Sequence, residues 1–301
     1  MRTCVVMGVE ITHPDRPLWP DGGDGAPVTK LELARYFEAV AGWMLPHVRG
    51  RPCSLVRLPE GLAGPHVFQR HPTPGLSDLV RRVAIDAGKP AYLQIDQAQA
   101  LAALAQMAAV ELHPWNGRPG APDIPGRLVF DLDPAADLAF DAVVAAALEV
   151  RERLEAEGLA AFCRTTGGKG LHVVAPLAPA PGLDWRAAKA FAKSLCARMA
   201  ADSPDRYLIG LAKRERGGRI FLDYLRNDRT ATAVAPLSPR ARPGAPVAMP
   251  LTWRQVAAGL EPMAFTLRTA PALLAHSDAW AGYDQAERPL PGPGSRPRSD
   301  I

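Results

Sequence analysis

Two carboxylates at the end of an apolar strand are the first residues in this sequence that could do chemistry. In the segment Arg127–Pro134, Leu-Val-Phe predicts a buried strand, and Pro134 should end its pairing. Side chains alternate along a strand, so Asp131 and Asp133 share a face, about 6.5–7 Å apart along the chain. Such a pair suits a hard divalent cation, which prefers carboxylate oxygens. Taken alone, it is equally consistent with solvated acids at a strand end or with a helix cap.

A third carboxylate, Asp223, ends the apolar run Ile220-Phe221-Leu222. A buried charge without a partner is costly, so Asp223 requires one in the folded protein. The partner is either a nearby arginine or a metal ion shared with Asp131 and Asp133.

A glycine-rich turn, Thr166 to Gly170, lies between these acids and contains Lys169, with His172 just beyond it. Backbone N–H groups in such a turn can line an anion-binding concavity. The turn is not a P-loop, because Gly170 follows Lys169 where a hydroxyl is required. By itself the segment is also consistent with an ordinary turn.

Further basic and aromatic residues lie outside these motifs. Lys30 falls in the first turn of a helix that a Thr29/Glu32 capping box begins, so it is either part of an anion site or a solvated lysine. Phe68, with Arg70 nearby in a predicted strand over 66–71, is either a base-stacking platform or a core residue.

Two more positions carry basic groups. His113 lies at the end of a helix predicted from Asp96 to about Leu112, where it either faces a cleft or interacts with the helix dipole. Arg240 and Arg242 lie on one face if their segment is extended.

Helices and strands in alternation must position these residues. Helical patterns cover 29–46, 140–157, 184–199 and 253–260, and short strands cover 54–58, 161–165, 171–175 and 220–224. Periodicity alone therefore predicts a mixed α and β protein.

Composition excludes several classes of protein. The 301 residues are 48% hydrophobic and 22% charged, as in ordinary globular proteins, with a net charge of +4. The widely spaced Cys4, Cys53, Cys163 and Cys196 indicate neither a disulfide framework nor a zinc site. No signal peptide or membrane span is visible, so we expect a cytoplasmic protein with no membrane partner.

Taken in order, these motifs resemble the polymerase domain of bacterial DNA ligase D, the end-joining branch of the archaeo-eukaryotic primase superfamily. The resemblance runs from about Thr12 to Trp253. The segments that carry it are Phe130-Asp131-Leu132-Asp133-Pro134, Thr166-Gly167-Gly168-Lys169-Gly170-Leu171-His172, Asp223-Tyr224-Leu225-Arg226-Asn227 and Ser238-Pro239-Arg240-Ala241-Arg242. Each segment is common alone, and the four in this order are highly specific.

The resemblance implies a role for each matching residue. Asp131, Asp133 and Asp223 would be catalytic and would bind two ions, Mn²⁺ or Mg²⁺. The residues implied to bind the nucleoside triphosphate are Thr166, Lys169, His172, Arg240, Arg216 and, near the ribose, His113. The residues implied to bind DNA are Arg16 and Lys30 at a 5′-phosphate, Phe68 on the template, Arg70 and Arg242.

Three positions depart from the family pattern. Thr166 replaces the usual serine and keeps a hydroxyl, and Arg16 replaces a lysine but still binds phosphate. Val67-Phe68 replaces a pair of phenylalanines, which weakens the stacking assignment.

The implied fold is α+β: a primase-type core with a largely antiparallel central sheet flanked by helices, and a β-rich N-terminal lobe that forms a DNA cleft. We expect the catalytic unit over 5–285, with the lobe over about 5–120 and the core over about 121–285. A Pro/Arg-rich tail or linker would follow over 286–301.

The implied function is metal-dependent extension and gap filling of DNA ends in non-homologous end joining, with a preference for ribonucleotides. Expected partners are DNA ends with a recessed 5′-phosphate or a gap, ribonucleoside triphosphates, Ku, and a DNA ligase domain or protein, in the bacterial nucleoid. The alternatives are a stand-alone primase of the same superfamily and a non-catalytic DNA-end-binding module.

Overall fold

A computed structural model describes residues 3–210 and 216–292 of the chain. The chain forms two compact units, each assembled from separate stretches. The first unit comprises Met1–Trp115, Thr232–Met249 and Glu261–Ser277, and the second comprises Asn116–Ala231, Pro250–Leu260 and Asp278–Ile301. Residues 211–215, which belong to a basic segment over 211–219 that the sequence predicts as a turn, lie outside the described residues, and so do residues 293–301 of the segment predicted as a tail.

Short antiparallel strands dominate the first unit. Strand β1 (Thr3–Val6) pairs with β2 (Val9–Thr12), and β3 (Pro17–Trp19) pairs with β4 (Val28–Thr29). A five-stranded sheet is built around β5 (Pro52–Arg57), which pairs with β6 (Val67–Gln69), β8 (Tyr92–Gln94) and β9 (Ala109–Pro114). Strand β7 (Arg81–Val83) pairs with β8.

Helix α1 (Lys30–Val48) begins at the capping box that the sequence predicts, in which Thr29 Oγ1 accepts from the Glu32 backbone N–H. It packs against α2 (Ala98–Gln106). Helix α6 (Ala270–Ala275), in the last of the unit's three stretches, also contacts α1.

The predicted helix over 96–112 is wrong in its second half and at its cap. Helix α2 ends at Gln106, and Ala108 takes a left-handed conformation with φ of 55°, which breaks the helical path. Residues 109–114 then pair along β5, so tertiary pairing overrides local helix propensity and His113 lies in a strand. The helix begins at Ala98 with Gln97 as its N-cap residue, and Asp96 instead accepts from the Gly50 backbone N–H.

A six-stranded sheet forms the centre of the second unit. Its spatial order is β15 (Tyr207–Leu208), β16 (Ile220–Asp223), β12 (Arg127–Pro134), β14 (Leu171–Pro176), β13 (Phe162–Thr165) and β17 (Pro250–Leu251). All neighbours are antiparallel except β15 and β16. A small antiparallel pair, β10 (Gly117–Arg118) and β11 (Ala121–Pro125), lies outside this sheet. The fold is therefore α+β, as predicted.

Helices cover the apolar side of this sheet. Helix α3 (Phe140–Ala156) contacts β12 and β14, α4 (Trp185–Asp202) contacts β12, and the short α5 (Trp253–Ala257) contacts α3. Asp184 caps α4 as predicted, by accepting from the Ala187 backbone N–H. On β12, Leu128, Phe130 and Leu132 are buried and alternate with the acids, which places the acids on the other face.

Three further features concern the C-terminal segment, the cysteines and the helices. Arg288, within the segment predicted as a tail, forms a parallel bridge with Leu177 at the end of β14. Cys4, Cys53, Cys163 and Cys196 are free. Among residues 3–210 and 216–292, no helix combines the length and the apolarity needed to cross a lipid bilayer.

Candidate active site

Three carboxylates meet on one face of the six-stranded sheet. Asp131 on β12 lies directly opposite Asp223 on β16, and Asp133 lies two residues further along the same face of β12. Burial raises the pKa of Asp223, Arg226 lowers it, and the charges of Asp131 and Asp133 raise it again. The three acids, which are up to 92 positions apart in sequence (223 − 131), therefore sense one another's charge.

Two arginines pair with these acids. The Arg226 Nε lies 3.2 Å from Oδ2 of both Asp131 and Asp223. Arg216 Nη1 donates to Asp133 Oδ2 at 2.7 Å. Although burial alone would raise it, His172 and Arg226 lower the pKa of Asp131 to about 2, so this acid is ionised at neutral pH. The alternative in which Asp223 pairs with a nearby arginine is thus correct. Asp223 also lies on the same sheet face as Asp131 and Asp133.

The donor set fits a hard divalent cation. Carboxylate oxygens are the ligands that Mg²⁺ and Mn²⁺ prefer, and the acids already share a positive charge, that of Arg226. Within the described ranges, no group of three or more His, Cys, Asp or Glu side chains has the geometry of a finished metal site. Ion binding here would therefore require Arg226 and Arg216 to release the acids.

A row of paired side chains on neighbouring strands extends across the sheet from Asp131. His172 on β14 lies opposite Asp131, and Arg164 on β13 lies opposite His172. His172 Nε2 is 3.3 Å from Asp131 Oδ1, and Arg164 Nη2 is 3.0 Å from His172 Nδ1. Burial lowers the pKa of His172 to about 4, despite the opposing effect of Asp131. His172 is therefore neutral at pH 7.

The glycine turn packs directly against the acid-bearing strand. A Cβ at Gly170 would lie 2.6 Å from the Leu132 carbonyl oxygen, so only glycine fits at that position. Thr166 Oγ1 donates to the Gly170 carbonyl at 3.1 Å, which closes the turn, and Gly167 takes a positive φ of 66°. Lys169 is exposed at its tip. The turn that carries Thr166 and Lys169 thus connects the strand of Arg164 to the strand of His172.

Asn227 fixes the loop that carries Arg226. Its side chain is buried, accepts from the Val129 backbone N–H at 2.8 Å, and donates to the Val129 and Tyr224 carbonyls at 2.9 and 3.0 Å. The amide therefore continues the pairing of β12 beyond the end of β16. This holds Arg226 beside the acids.

In the first unit, Glu111 joins two of the predicted nucleotide-binding residues. His113 Nε2 lies 2.7 Å from Glu111 Oε2, Arg240 Nε lies 3.2 Å from the same oxygen, and the Ala241 N–H donates to Oε1 at 2.7 Å. Although burial would raise it, the bond to His113 and the charge of Arg240 lower the pKa of Glu111 to about 2. Arg242 is exposed.

Sequence reasoning missed two residues of these clusters, Glu111 and Arg164. Glu111 shares a strand face with His113. A helical prediction for this segment does not place the two residues side by side. Arg164 is the one charged residue of a short buried strand, and a charge at such a position is a usable signal.

Phe68 is exposed, so its interpretation as a core residue is wrong. The residue is 51% exposed, and its ring lies 6.5 Å from the His113 ring in an edge arrangement with the Arg70 guanidinium over it at 5.1 Å. An exposed ring beside a cation is the arrangement that stacks on nucleic-acid bases.

Lys30 is not a solvated lysine. Only 5% of it is exposed, and its Nζ lies 3.3 Å from both the backbone oxygen and Oε1 of Gln106. Burial lowers the pKa of Lys30, and the charge of Arg16 lowers it further, so the two cations are close together. Arg16 is held by a hydrogen bond to the Pro59 carbonyl. Two adjacent cations are suited to binding an anion.

The predicted site residues thus form clusters within each unit. The cluster in the second unit contains Asp131, Asp133, Asp223, His172, Arg216 and the turn with Thr166 and Lys169. The first unit contains the Glu111-linked pair His113 and Arg240, the ring of Phe68 with Arg70, and the Lys30–Arg16 pair.

The fold and this site define the class of protein to which the chain belongs. A family model described as LigD, primase-polymerase domain matches residues 29–280, and the chain belongs to this family of polymerase domains.

Individual relatives agree. The chain is 38% identical over 287 residues to the multifunctional non-homologous end joining protein LigD of Pseudomonas aeruginosa, which covers 93% of this chain and 33% of the relative. It is 34% identical over 258 residues to the Mycobacterium tuberculosis H37Rv LigD, covering 82% of this chain and 33% of that protein. The chain therefore spans about a third of the length of these relatives.

A solved structure is also similar. The polymerase domain from Mycobacterium tuberculosis ligase D in complex with DNA aligns with a TM-score of 0.83 and 31% identity, covering 91% of this chain and 97% of that one.

Proposed function

We propose that this chain is a metal-dependent nucleotidyltransferase of the primase-polymerase type that extends DNA ends and fills gaps in non-homologous end joining. The observation that carries the proposal is the convergence of Asp131, Asp133 and Asp223 on one sheet face, with His172 in the same cross-strand row. The relatives named for end joining and the DNA complex of the similar structure support the same reading.

The acids would hold two divalent ions, Mn²⁺ or Mg²⁺. Bound there, such ions supply Lewis-acid activation of a hydroxyl and charge stabilisation of a leaving pyrophosphate. The chain's own contribution is to position donors along the triphosphate: Thr166 and Lys169 from the glycine turn, His172 from β14, and Arg216 from the loop before β16. Arg216 and Arg226 would exchange their carboxylate partners for phosphate oxygens.

Residues of the first unit would bind the rest of the substrate. Arg240 would contact the triphosphate, and His113, held by Glu111, would meet the ribose and favour ribonucleotides. Lys30 and Arg16 would bind a recessed 5′-phosphate. The residues that would contact the rest of the DNA are Phe68, Arg70 and Arg242.

Primer extension on a gapped, 5′-phosphorylated duplex tests the proposal. We expect nucleotide addition with Mn²⁺ or Mg²⁺, faster with ribonucleotides, and none after Asp131→Ala or Asp223→Ala although both variants bind DNA. Asp202→Ala, which removes an exposed carboxylate of α4 that pairs with Arg153, is the matched control and should remain active. An active Asp223→Ala protein would refute the assignment of the acids.

The same assay separates the alternatives. A stand-alone primase would start chains without a primer and would be indifferent to the 5′-phosphate, whereas the proposed enzyme loses affinity when that phosphate is removed. A DNA-end-binding module would bind in a salt-dependent way and extend no primer with either metal. Co-purification with Ku and with a DNA ligase tests the proposed partners.

A further inference from the structure

A buried arginine behind the acid row has no role in the function proposed above. Arg164 on β13 is fully buried, and within the described residues it makes no ion pair with a carboxylate. Burial of a charged group without a directly paired opposite charge is costly. Its only hydrogen-bond acceptor in the described part of the chain is His172 Nδ1, reached by Nε at 3.3 Å and by Nη2 at 3.0 Å.

This contact determines which nitrogen of His172 carries the proton. A guanidinium only donates hydrogen bonds, so His172 Nδ1 must be the acceptor and cannot bear a hydrogen. In the neutral ring the proton is then on Nε2, which faces Asp131 Oδ1 at 3.3 Å. Arg164 therefore turns the donor side of the imidazole toward the acid row.

An aromatic cluster holds Arg164 in place. Its guanidinium carbon lies 5.7 Å from the centre of the Trp280 ring, and Trp280 stacks on Tyr283 at 5.0 Å with an interplanar angle of 6°. The Trp280 Nε1–H donates to the Cys163 carbonyl at 2.7 Å, which ties this ring to the strand of Arg164. The guanidinium therefore has little freedom to leave His172.

We propose that Arg164 is a positioning residue that fixes His172 as its Nε2–H tautomer, so that this nitrogen donates to anionic oxygens at the acid row. Its consequence for catalysis rests on the proposed function, in which His172 binds the triphosphate. Because an Nε2–H donor would hold the triphosphate in the ground state and the transition state alike, loss of Arg164 should act mainly on nucleotide KM.

The tautomer of His172 is measurable without any enzymatic assay. Long-range ¹⁵N–¹H correlation spectra of the whole protein labelled with ¹⁵N-histidine, with the His172→Gln spectrum for assignment, identify which ring nitrogen is protonated. We expect Nε2–H in the unaltered protein at neutral pH. An Nδ1–H signal for His172 would overturn the inference, whether or not the protein adds nucleotides.

Variants of Arg164 then test its role. Arg164→Met should introduce Nδ1–H signal and raise the nucleotide KM about 10- to 100-fold, by analogy with the loss seen when the partner that orients a metal-ligating histidine is removed, with a much smaller change in kcat. Arg164→Lys keeps a donor and should restore the Nε2–H tautomer and most of the affinity.

Arg127 offers a matched control. It is a buried arginine on the site face of β12, but its Nε donates to Asn116 Oδ1 at 2.8 Å. Arg127→Met should leave the tautomer of His172 unchanged. A folded Arg164→Met protein with unaltered tautomer, or with the nucleotide KM of the unaltered protein, would overturn the role of Arg164. If Arg164→Met does not fold, the inference is tested by the spectra of the unaltered protein and of Arg164→Lys, both of which should show Nε2–H for His172.

Discussion

Replacement of Arg226 by methionine removes the guanidinium that lies between Asp131 and Asp223. Each of these pairs would attract by about 4 kcal/mol at about 4 Å for an effective dielectric constant of about 20. The Arg226 side chain is 41% exposed, whereas those of the two acids are only 16% and 12% exposed, so solvent screens much of this attraction. We expect Arg226→Met to lower the free energy of unfolding by about 2 kcal/mol in the absence of divalent ions.

Metal binding should respond in the opposite direction. If the ion takes the place of Arg226 between the acids, the unaltered protein must break those ion pairs to bind it, and the variant does not. The saving of about 2 kcal/mol corresponds to about 30-fold tighter Mn²⁺ binding by the variant. Denaturant unfolding with and without Mn²⁺ measures both effects, because an ion that binds only the folded state stabilises it.

A matched control separates the site from general electrostatics. Arg153 on α3 also bridges two carboxylates, with Nη2 lying 2.8 Å from both Glu149 and Asp202. Arg153→Met should lose stability without any gain in Mn²⁺ affinity. Equal stabilisation of the Arg226→Met and unaltered proteins by Mn²⁺ would refute the reasoning that Arg226 occupies the ion's place.

Three other predictions follow from the site. The pKa of Glu111 is lowered from 4.5 to about 2, so its contribution to stability is complete above pH 4.5 and is lost as the pH falls toward 2. Over this pH range the free energy of unfolding, measured by acid unfolding, should fall by about 3 kcal/mol less in Glu111→Gln than in the unaltered protein. Phe68→Ala should weaken binding of a template overhang by about 1–3 kcal/mol, whereas Phe68→Tyr, which keeps a ring, should not; equal affinities would contradict the stacking role. Asn227→Ala leaves the Val129 backbone groups unpaired and should destabilise the protein by about 3 kcal/mol in urea unfolding, whereas an unchanged midpoint would contradict its role in the loop.

Local patterns in the sequence were sufficient for several elements. The capping box at Thr29 and the cap at Asp184 predicted where α1 and α4 begin, because caps depend on residues within one turn. The alternation in Arg127–Pro134 placed Asp131 and Asp133 on one face for an equally local reason. The order of the motifs predicted the family, which the comparisons confirm.

The sequence misled where long-range pairing decides the conformation. Residues 109–112 have good helix formers, yet they form β9 because pairing with β5 satisfies their backbone and buries their side chains. The same error concealed the contact of Glu111 with His113.

By itself, the sequence determined which residues could bind metal, phosphate or bases, since side-chain chemistry and short-range alternation are properties of the chain. Only the tertiary structure decided that Asp223 lies opposite Asp131, that Arg226 neutralises both, and that Arg164 donates to His172. Strand register and the burial of charge arise from contacts between residues that are distant in sequence, and no local pattern encodes them.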